Sequence, residues 1–114
     1  MIEMKVLSND TMVVYLKQQI RNEKYNFVIQ LDSIMNDSRC PIGATCFWAG
    51  FVQAKFTISE RRISHPFVLN TLIHPNDTTI NGINYKLLNV LPFPDYTLNP
   101  NQGDYRAIVA VSKK

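Results

Sequence analysis

The stretch Thr79-Ile80-Asn81-Gly82-Ile83 decides the fold class, because it places an Asn-Gly pair between β-branched residues. The tight hairpin turn that suits β-strands needs positive φ at both central residues, and Asn followed by Gly adopts it most readily. The pair therefore predicts a β-hairpin whose second strand is Ile83–Leu91. Pro92 and Pro94 end that strand, because proline cannot donate a hydrogen bond to a sheet.

Alternation of apolar and polar residues continues on both sides of this hairpin and is typical of half-buried strands. The polar run 21–24 is predicted to be the turn of a second hairpin, formed by residues 12–18 and 25–32. About seven short strands, with turns every eight to twelve residues, predict an antiparallel β-sandwich in a single domain spanning 1–114. A small β-barrel is the alternative. The other predicted strands are 51–58, 66–72 and 105–111.

Composition restricts the class of protein. Of the 114 residues, 46% are hydrophobic and 18% are charged, which excludes an intrinsically disordered chain. No apolar run has the length of a membrane-spanning helix. The net charge is +3, and its basic residues are scattered, with doublets only at Arg61-Arg62 and Lys113-Lys114. Nucleic-acid binders concentrate such charge on one face, so no nucleic-acid partner is predicted.

Two cysteines, Cys40 and Cys46, lie on a short loop that contains Pro41 and Gly43. These two residues let the chain turn back, so the sulfur atoms can meet in a disulfide. Two reduced thiols, or half of a metal site, are the alternatives. Spacings typical of zinc ligands are absent from the sequence, so neither a metal ion nor a cofactor is predicted.

Residues 37–50 read Asp-Ser-Arg-Cys-Pro, four further residues, Cys, one residue and Trp-Ala-Gly. This segment resembles one found in small exported bacterial proteins and lipoproteins for which no activity is established. Their proline-containing strand end and final strand are also similar to residues 87–94 and 104–109. The resemblance implies an exported all-β domain with Cys40 bridged to Cys46, and it implies no activity.

The candidate binding surface comprises polar and aromatic residues near the cysteine loop, each of which also has a purely structural interpretation. Asp37 and Arg39 form an exposed recognition cluster, or Asp37 accepts local backbone hydrogen bonds and Arg39 pairs with a carboxylate. Trp48 is a stacking platform or a core residue beside the disulfide. Phe93 and Tyr96 form a recognition edge or cover the end of the core.

These observations predict a non-catalytic binding module that contacts an unknown protein or surface ligand in the periplasm, outside the cell or at its surface. The first ten residues contain no apolar segment of the kind that directs export, so a cytoplasmic location is the alternative. One functional alternative is a protease inhibitor whose loop presents Arg39 to a cleft. Another is a redox protein or enzyme that uses Cys40 or Cys46 as a thiolate.

Overall fold

The computed structural model describes residues 5–7, 9–35, 37–39, 50–71, 73–91 and 105–113, which form nine β-strands and no helix. The strands belong to two separate sheets that do not close into a barrel, so the chain is an all-β sandwich as predicted. In chain order they are β1 (Lys5–Leu7), β2 (Thr11–Tyr15), β3 (Gln19–Asn22), β4 (Phe27–Met35), β5 (Gln53–Glu60), β6 (Ile63–Asn70), β7 (Asp77–Ile80), β8 (Ile83–Leu91) and β9 (Arg106–Lys113).

One sheet has five strands in the order β1-β3-β4-β5-β6, and the other has four in the order β2-β9-β8-β7. Neighbouring strands are antiparallel except β1 and β3, which are parallel. No segment of the described chain forms a helix with the length and hydropathy of a membrane span.

The Asn-Gly hairpin forms as predicted, with Ile80 opposite Ile83 and positive φ at Asn81 and Gly82. A second two-residue turn joins β5 to β6, where Glu60 lies opposite Ile63. Hairpins with two-residue turns fix the register of their strands, and register decides which side chains enter the core.

The predicted hairpin of 12–18 with 25–32 is wrong. The chain leaves the four-stranded sheet after β2, passes through Lys17 with a φ of 67°, and enters the five-stranded sheet as β3. Leu16 links the two sheets, because its amide donates to the carbonyl of Tyr105 and it forms a bridge with Leu31. The true hairpin is β3–β4. This crossing and the extra strand β1 raise the strand number from about seven to nine.

The inward faces of both sheets supply one hydrophobic core. Aromatic rings cross between the sheets, with Phe27 edge-on to Tyr85 at 5.1 Å between ring centroids and Phe67 at 5.9 Å from the same tyrosine. Each large apolar side chain buried in this way contributes about 1.5–3 kcal/mol. The largest fully buried side chains are Tyr85, Phe27, Phe56, Met12, Ile20, Ile29, Leu31, Ile58, Leu69, Val14, Val52 and Val90.

The two ends of the sandwich differ in what they carry. At one end, here called the loop end, β4 and β5 are separated by residues 36–52, and β8 and β9 by residues 92–105. At the opposite end, the hairpin-tip end, the chain turns at 23–26, 61–62 and 81–82. Each of the two ends is a candidate functional site.

Candidate functional site

At the loop end, Asp37 and Arg39 form a buried ion pair. The Nε and Nη2 atoms of Arg39 each donate to one carboxylate oxygen of Asp37 at 2.9 Å. The remaining guanidinium nitrogen donates to the carbonyl of Val90, and the hydroxyl of Tyr105 donates to Asp37 at 3.0 Å. These contacts connect the segment after β4 to both β8 and the start of β9.

The surroundings of Asp37 favour its charged form. Burial by itself raises the pKa of this carboxyl, but the hydrogen bonds and charge of Arg39 and the hydroxyl of Tyr105 outweigh burial and lower it. For Tyr105, burial and the hydrogen bond to Asp37 both raise the pKa of the phenol. Asp37 is therefore ionised and Tyr105 protonated at neutral pH, as this hydrogen bond requires.

The two chain segments that flank residues 40–49 are joined beside this pair. The amide of Ser38 donates to the carbonyl of Phe51 at 2.9 Å, and the amide of Phe51 donates to the Ser38 hydroxyl at 3.1 Å. Gly50 permits this approach, because a Cβ atom built there would lie 1.7 Å from the carbonyl oxygen of Ser38. The base of the loop is thus closed by contacts other than a disulfide.

The structure supports the local interpretation of Asp37 and Arg39. The amide of Arg39 donates to Asp37 at 3.3 Å, and the carboxylate paired with Arg39 is that of Asp37 itself. Arg39 is only 8% exposed, so the arrangement does not favour the alternative in which its side chain enters a protease cleft. Residues Cys40, Cys46, Trp48, Phe93 and Tyr96 lie outside the described residues.

The hairpin-tip end contains an open cleft of about 610 Å³, which lies in the size range of ligand sites. It is bounded by the β3–β4 turn and the β5–β6 hairpin of one sheet and by the β7–β8 hairpin of the other. We call it the hairpin-tip cleft. Its lining residues are Tyr25, Asn26, Glu60, Arg61, Ile63, Asn81 and Ile83.

Glu60 joins the two sheets at the base of this cleft. Its carboxylate accepts a hydrogen bond from the Asn81 side chain at 2.9 Å and a longer one from the Tyr85 hydroxyl at 3.4 Å. Burial, followed by the charge of Glu60, raises the pKa of the Tyr85 phenol well above its usual range. Tyr85 therefore remains a hydrogen-bond donor, and Glu60 keeps lone pairs for a further donor.

Turns with a left-handed backbone surround the cleft. Five of the six described residues with positive φ lie in its three turns, namely Asn26, Arg61, Arg62, Asn81 and Gly82. Asn and Gly adopt this conformation readily, whereas arginine does so at a cost. Arg61 and Arg62 have φ values of 47° and 67°, so the β5–β6 turn has the geometry of the Asn-Gly turn with two unfavourable residues.

Basic side chains concentrate around this end. The cleft and the two grooves beside it are lined by Arg21, Lys24, Arg61, Arg62 and Lys113, and Glu60 is the only carboxylate among the described residues that line them. Residues far apart in the sequence thus meet at the tips of three hairpins. The sequence shows Arg61-Arg62 and Lys113 only as members of two separate doublets, and it does not indicate that they lie at the same end of the sandwich.

Lys24 is the one member of the cluster with an ion-pair partner among the described residues. Its ammonium contacts Asp10 at 2.8 Å and lies 5.4 Å from the ring centroid of Tyr25. The Tyr25 hydroxyl also donates to Asp10, at 2.7 Å. The hydrogen bond from Lys24, and to a smaller extent that from Tyr25, lowers the pKa of Asp10. The hydrogen bond between Lys24 and Asp10 also raises the pKa of Lys24.

No known protein family, curated protein or solved structure matches this chain. In the described part of the chain, His, Cys, Asp and Glu side chains nowhere gather in a group of three that could hold a metal ion.

Proposed function

We propose that the chain is a non-catalytic β-sandwich binding module whose ligand occupies the hairpin-tip cleft. The observation that carries this proposal is the cleft itself, where side chains of both sheets surround an open volume of about 610 Å³. Ligand sites characteristically combine apolar walls with a few convergent polar groups. Here Ile63 and Ile83 provide apolar surface, while Glu60, Arg61 and Asn81 provide polar groups.

The cleft is preformed because its walls are held by the fold. Asn81 and Glu60 bridge the two hairpin tips at 2.9 Å, and the fully buried Tyr85 supports Glu60 from below. On the opposite wall, the amide of Tyr25 donates to the side chain of the buried Asn22 at 3.1 Å, which fixes the β3–β4 turn. A preformed site binds more tightly, because less conformational freedom is lost on binding.

The chemistry of the lining favours binding over catalysis. Glu60 is the sole carboxylate among the described lining residues, whereas enzymes that hydrolyse glycosides by acid–base chemistry use two carboxylic residues. Its oxygens already accept hydrogen bonds from Asn81 and Tyr85. In this setting Glu60 acts as a hydrogen-bond acceptor for a ligand.

A mixed panel of ligands tests the binding proposal by NMR on the isotopically labelled chain. Its probes are neutral and acidic oligosaccharides, a short peptide and a single-stranded oligonucleotide. At least one class is expected to shift the backbone amides of 25–26, 60–63 and 81–83 in a saturable way. The amides of Gln19 and Gln30, on the outer face of the five-stranded sheet, serve as a reference. The proposal fails if no probe shifts the cleft amides.

We also propose export to the periplasm or cell surface, with Cys40 bridged to Cys46. The resemblance of residues 37–50 to exported proteins supports this, as does the closed base of the loop at Ser38, Gly50 and Phe51. A short loop whose ends already meet needs little further ordering to form a disulfide. The bridge in turn fits an oxidising compartment.

The disulfide is tested by alkylating the denatured protein with and without prior reduction, using material made in an oxidising compartment. Mass added only after reduction is the expected result. Alkylation of both cysteines without reduction would contradict the bridge and would favour a protein that uses its thiols chemically. Cytoplasmic location would then also become the better explanation.

A further inference from the structure

The β5–β6 turn holds two arginines in a backbone conformation that does not suit them. Arg61 and Arg62 both have positive φ, at positions where the neighbouring β7–β8 turn has Asn81 and Gly82. Strain of this kind persists where the surrounding structure or a function requires it, and an observed outlier is a reason to look for a role. Because both arginines are exposed, packing of their side chains in the core does not explain them.

Both arginines offer uncompensated positive charge. Among the described residues, neither makes an ion pair or a hydrogen bond through its side chain. Arg21, which is also exposed, lies with them along one groove beside the cleft, and Lys113 lies along the other. A guanidinium presents two parallel N–H groups that match the two oxygens of a carboxylate. The outer part of the site is therefore complementary to carboxylate groups.

The inner part of the cleft requires a different chemistry. Glu60 and the amide group of Asn81 meet at 2.9 Å and can both bind hydroxyl groups, since Glu60 accepts hydrogen bonds and an amide both donates and accepts them. Ile63, which is 58% exposed, provides apolar surface next to these polar groups. Apolar patches beside hydroxyl-binding groups suit the face of a sugar ring. A ligand that fits both parts carries hydroxyls and carboxylates together.

We propose that the hairpin-tip cleft binds an acidic oligosaccharide, a short sugar chain that carries carboxylate groups. The inference rests on the proposed binding function and specifies its ligand. Arg61 and Arg62 hold the carboxylates, Glu60 and Asn81 bind ring hydroxyls, and Ile63 contacts the apolar face of a sugar. Arg21 and Lys113 extend the positive potential along the chain on either side.

The same geometry disfavours a nucleic acid. Within a DNA strand the sugars have no free hydroxyl that could donate to Glu60, and this carboxylate repels the phosphates. Proteins that bind single strands also provide exposed aromatic rings on which bases stack. The aromatic residue that lines the cleft, Tyr25, carries the Lys24 ammonium 5.4 Å from its ring centroid. A galacturonate residue carries free hydroxyls beside its carboxylate, so an acidic sugar chain can place hydroxyls at Glu60 and carboxylates at the arginines.

The test compares three probes by NMR on the full chain at the same concentration and ionic strength. They are a hexamer of galacturonate, a hexamer of glucose and a single-stranded DNA hexamer. The galacturonate hexamer is expected to shift the amides of 60–63 and 81–83 and to bind at least ten times more tightly than either other probe. Added salt is expected to weaken this binding, because it screens exposed charges.

A double variant separates the role of the arginines from their contribution to the fold. Arg61→Asn with Arg62→Gly places Asn and Gly in the β5–β6 turn, and these residues favour its left-handed backbone. The hairpin is therefore retained while both guanidinium groups are lost. We expect at least a tenfold loss of affinity for the galacturonate hexamer. Lys55→Ala with Lys86→Ala is the matched control, because it removes the same charge from exposed positions elsewhere. Its affinity is expected to stay within twofold of wild type.

The outcomes distinguish this inference from the binding function on which it rests. Equal or tighter binding of the glucose or DNA hexamer at the cleft amides would overturn the acidic-sugar ligand and leave the binding module intact. A similar loss of affinity in both double variants would show a general charge effect and would also overturn it. If none of the probes used in either experiment shifts the cleft amides, both proposals fail.

Discussion

The two ends of the sandwich use arginine in opposite ways. At the loop end, Arg39 is buried, forms an ion pair with Asp37 and donates to a backbone carbonyl, so its charge is neutralised within the fold. At the hairpin-tip end, Arg61 and Arg62 are exposed and strained, without an ion-pair partner among the described residues. A buried charge with an ion-pair partner contributes to the structure. A charge that stays exposed on a strained backbone is available to a ligand.

The largest effect should come from removing the charge of Asp37. In Asp37→Asn the buried Arg39 loses its counter-charge, and breaking such a pair costs about 3 kcal/mol of the free energy of unfolding. Urea unfolding measures this loss. Asp10→Asn is the control at the other end, where the partner Lys24 is exposed, and it should cost far less. Equal losses in the two variants would contradict the contrast between a structural and an exposed pair.

One glycine at each end of the sandwich extends this comparison, because Gly50 is constrained by neighbouring atoms and Gly82 by its positive φ. Gly50→Ala places a Cβ atom against the backbone of Ser38, so the loop base must shift, at a cost of about 2–3 kcal/mol. Gly82→Ala meets no atom within 4 Å, and its cost is only that of a φ of 80°, about 1 kcal/mol. Thermal unfolding of both variants measures the difference. A greater loss for Gly82→Ala would mean that the loop base is not tightly closed.

The hairpin-tip end should contain a substitution that stabilises the protein. Arg61→Asn with Arg62→Gly removes two unfavourable left-handed arginines and is expected to raise the free energy of unfolding by about 1 kcal/mol. Urea unfolding at moderate salt measures this gain with little influence from surface charge. Lys55→Ala with Lys86→Ala should leave stability close to wild type. A clear loss of stability in the turn variant would show that the arginines support the hairpin.

A smaller effect should appear in the acid range. Burial raises the pKa of Asp37, but Arg39 outweighs it and holds the pKa below the ordinary value of 3.8. A carboxyl of this kind stabilises the fold fully above its unfolded-state pKa and loses that contribution as the pH falls through its folded-state pKa. The difference in unfolding free energy between wild type and Asp37→Asn should therefore shrink below pH 3.8. A constant difference would mean that the charge of Asp37 is not what stabilises the loop base.

Local chemistry made part of the fold predictable. Asn81-Gly82 predicted its hairpin because the turn geometry follows from the conformational freedom of those two residues alone. Asp37 and Arg39 are two positions apart, so their local pairing was one of the two interpretations that the sequence allowed. Alternation of apolar residues predicted the sandwich, because a strand with one apolar face must bury it against another sheet.

Nothing in the sequence indicates that the chain passes from one sheet to the other at Lys17. Met12 and Val14 before the crossing and Ile20 after it are all buried, so the alternation of inward residues continues across the change of sheet. Neither glycine nor proline marks the left-handed residue. The polar run at 21–24 predicts a turn, yet Arg21 and Asn22 belong to β3. Arg21 faces solvent, whereas Asn22 is buried and makes hydrogen bonds to Asn9 and Met12.

By itself the sequence determined the all-β class, the Asn-Gly hairpin and the local pairing available to Asp37 and Arg39, because each depends on backbone preference, alternation or neighbours in the chain. Tertiary structure alone decided which strands pair and which end gathers the charge. Arg21 and Arg61 line one groove beside the cleft, and Lys113 lines the other, because strand order and register bring three hairpin tips and the end of β9 to one end of the sandwich. Such meetings depend on long-range packing, which a scattered set of basic residues does not reveal.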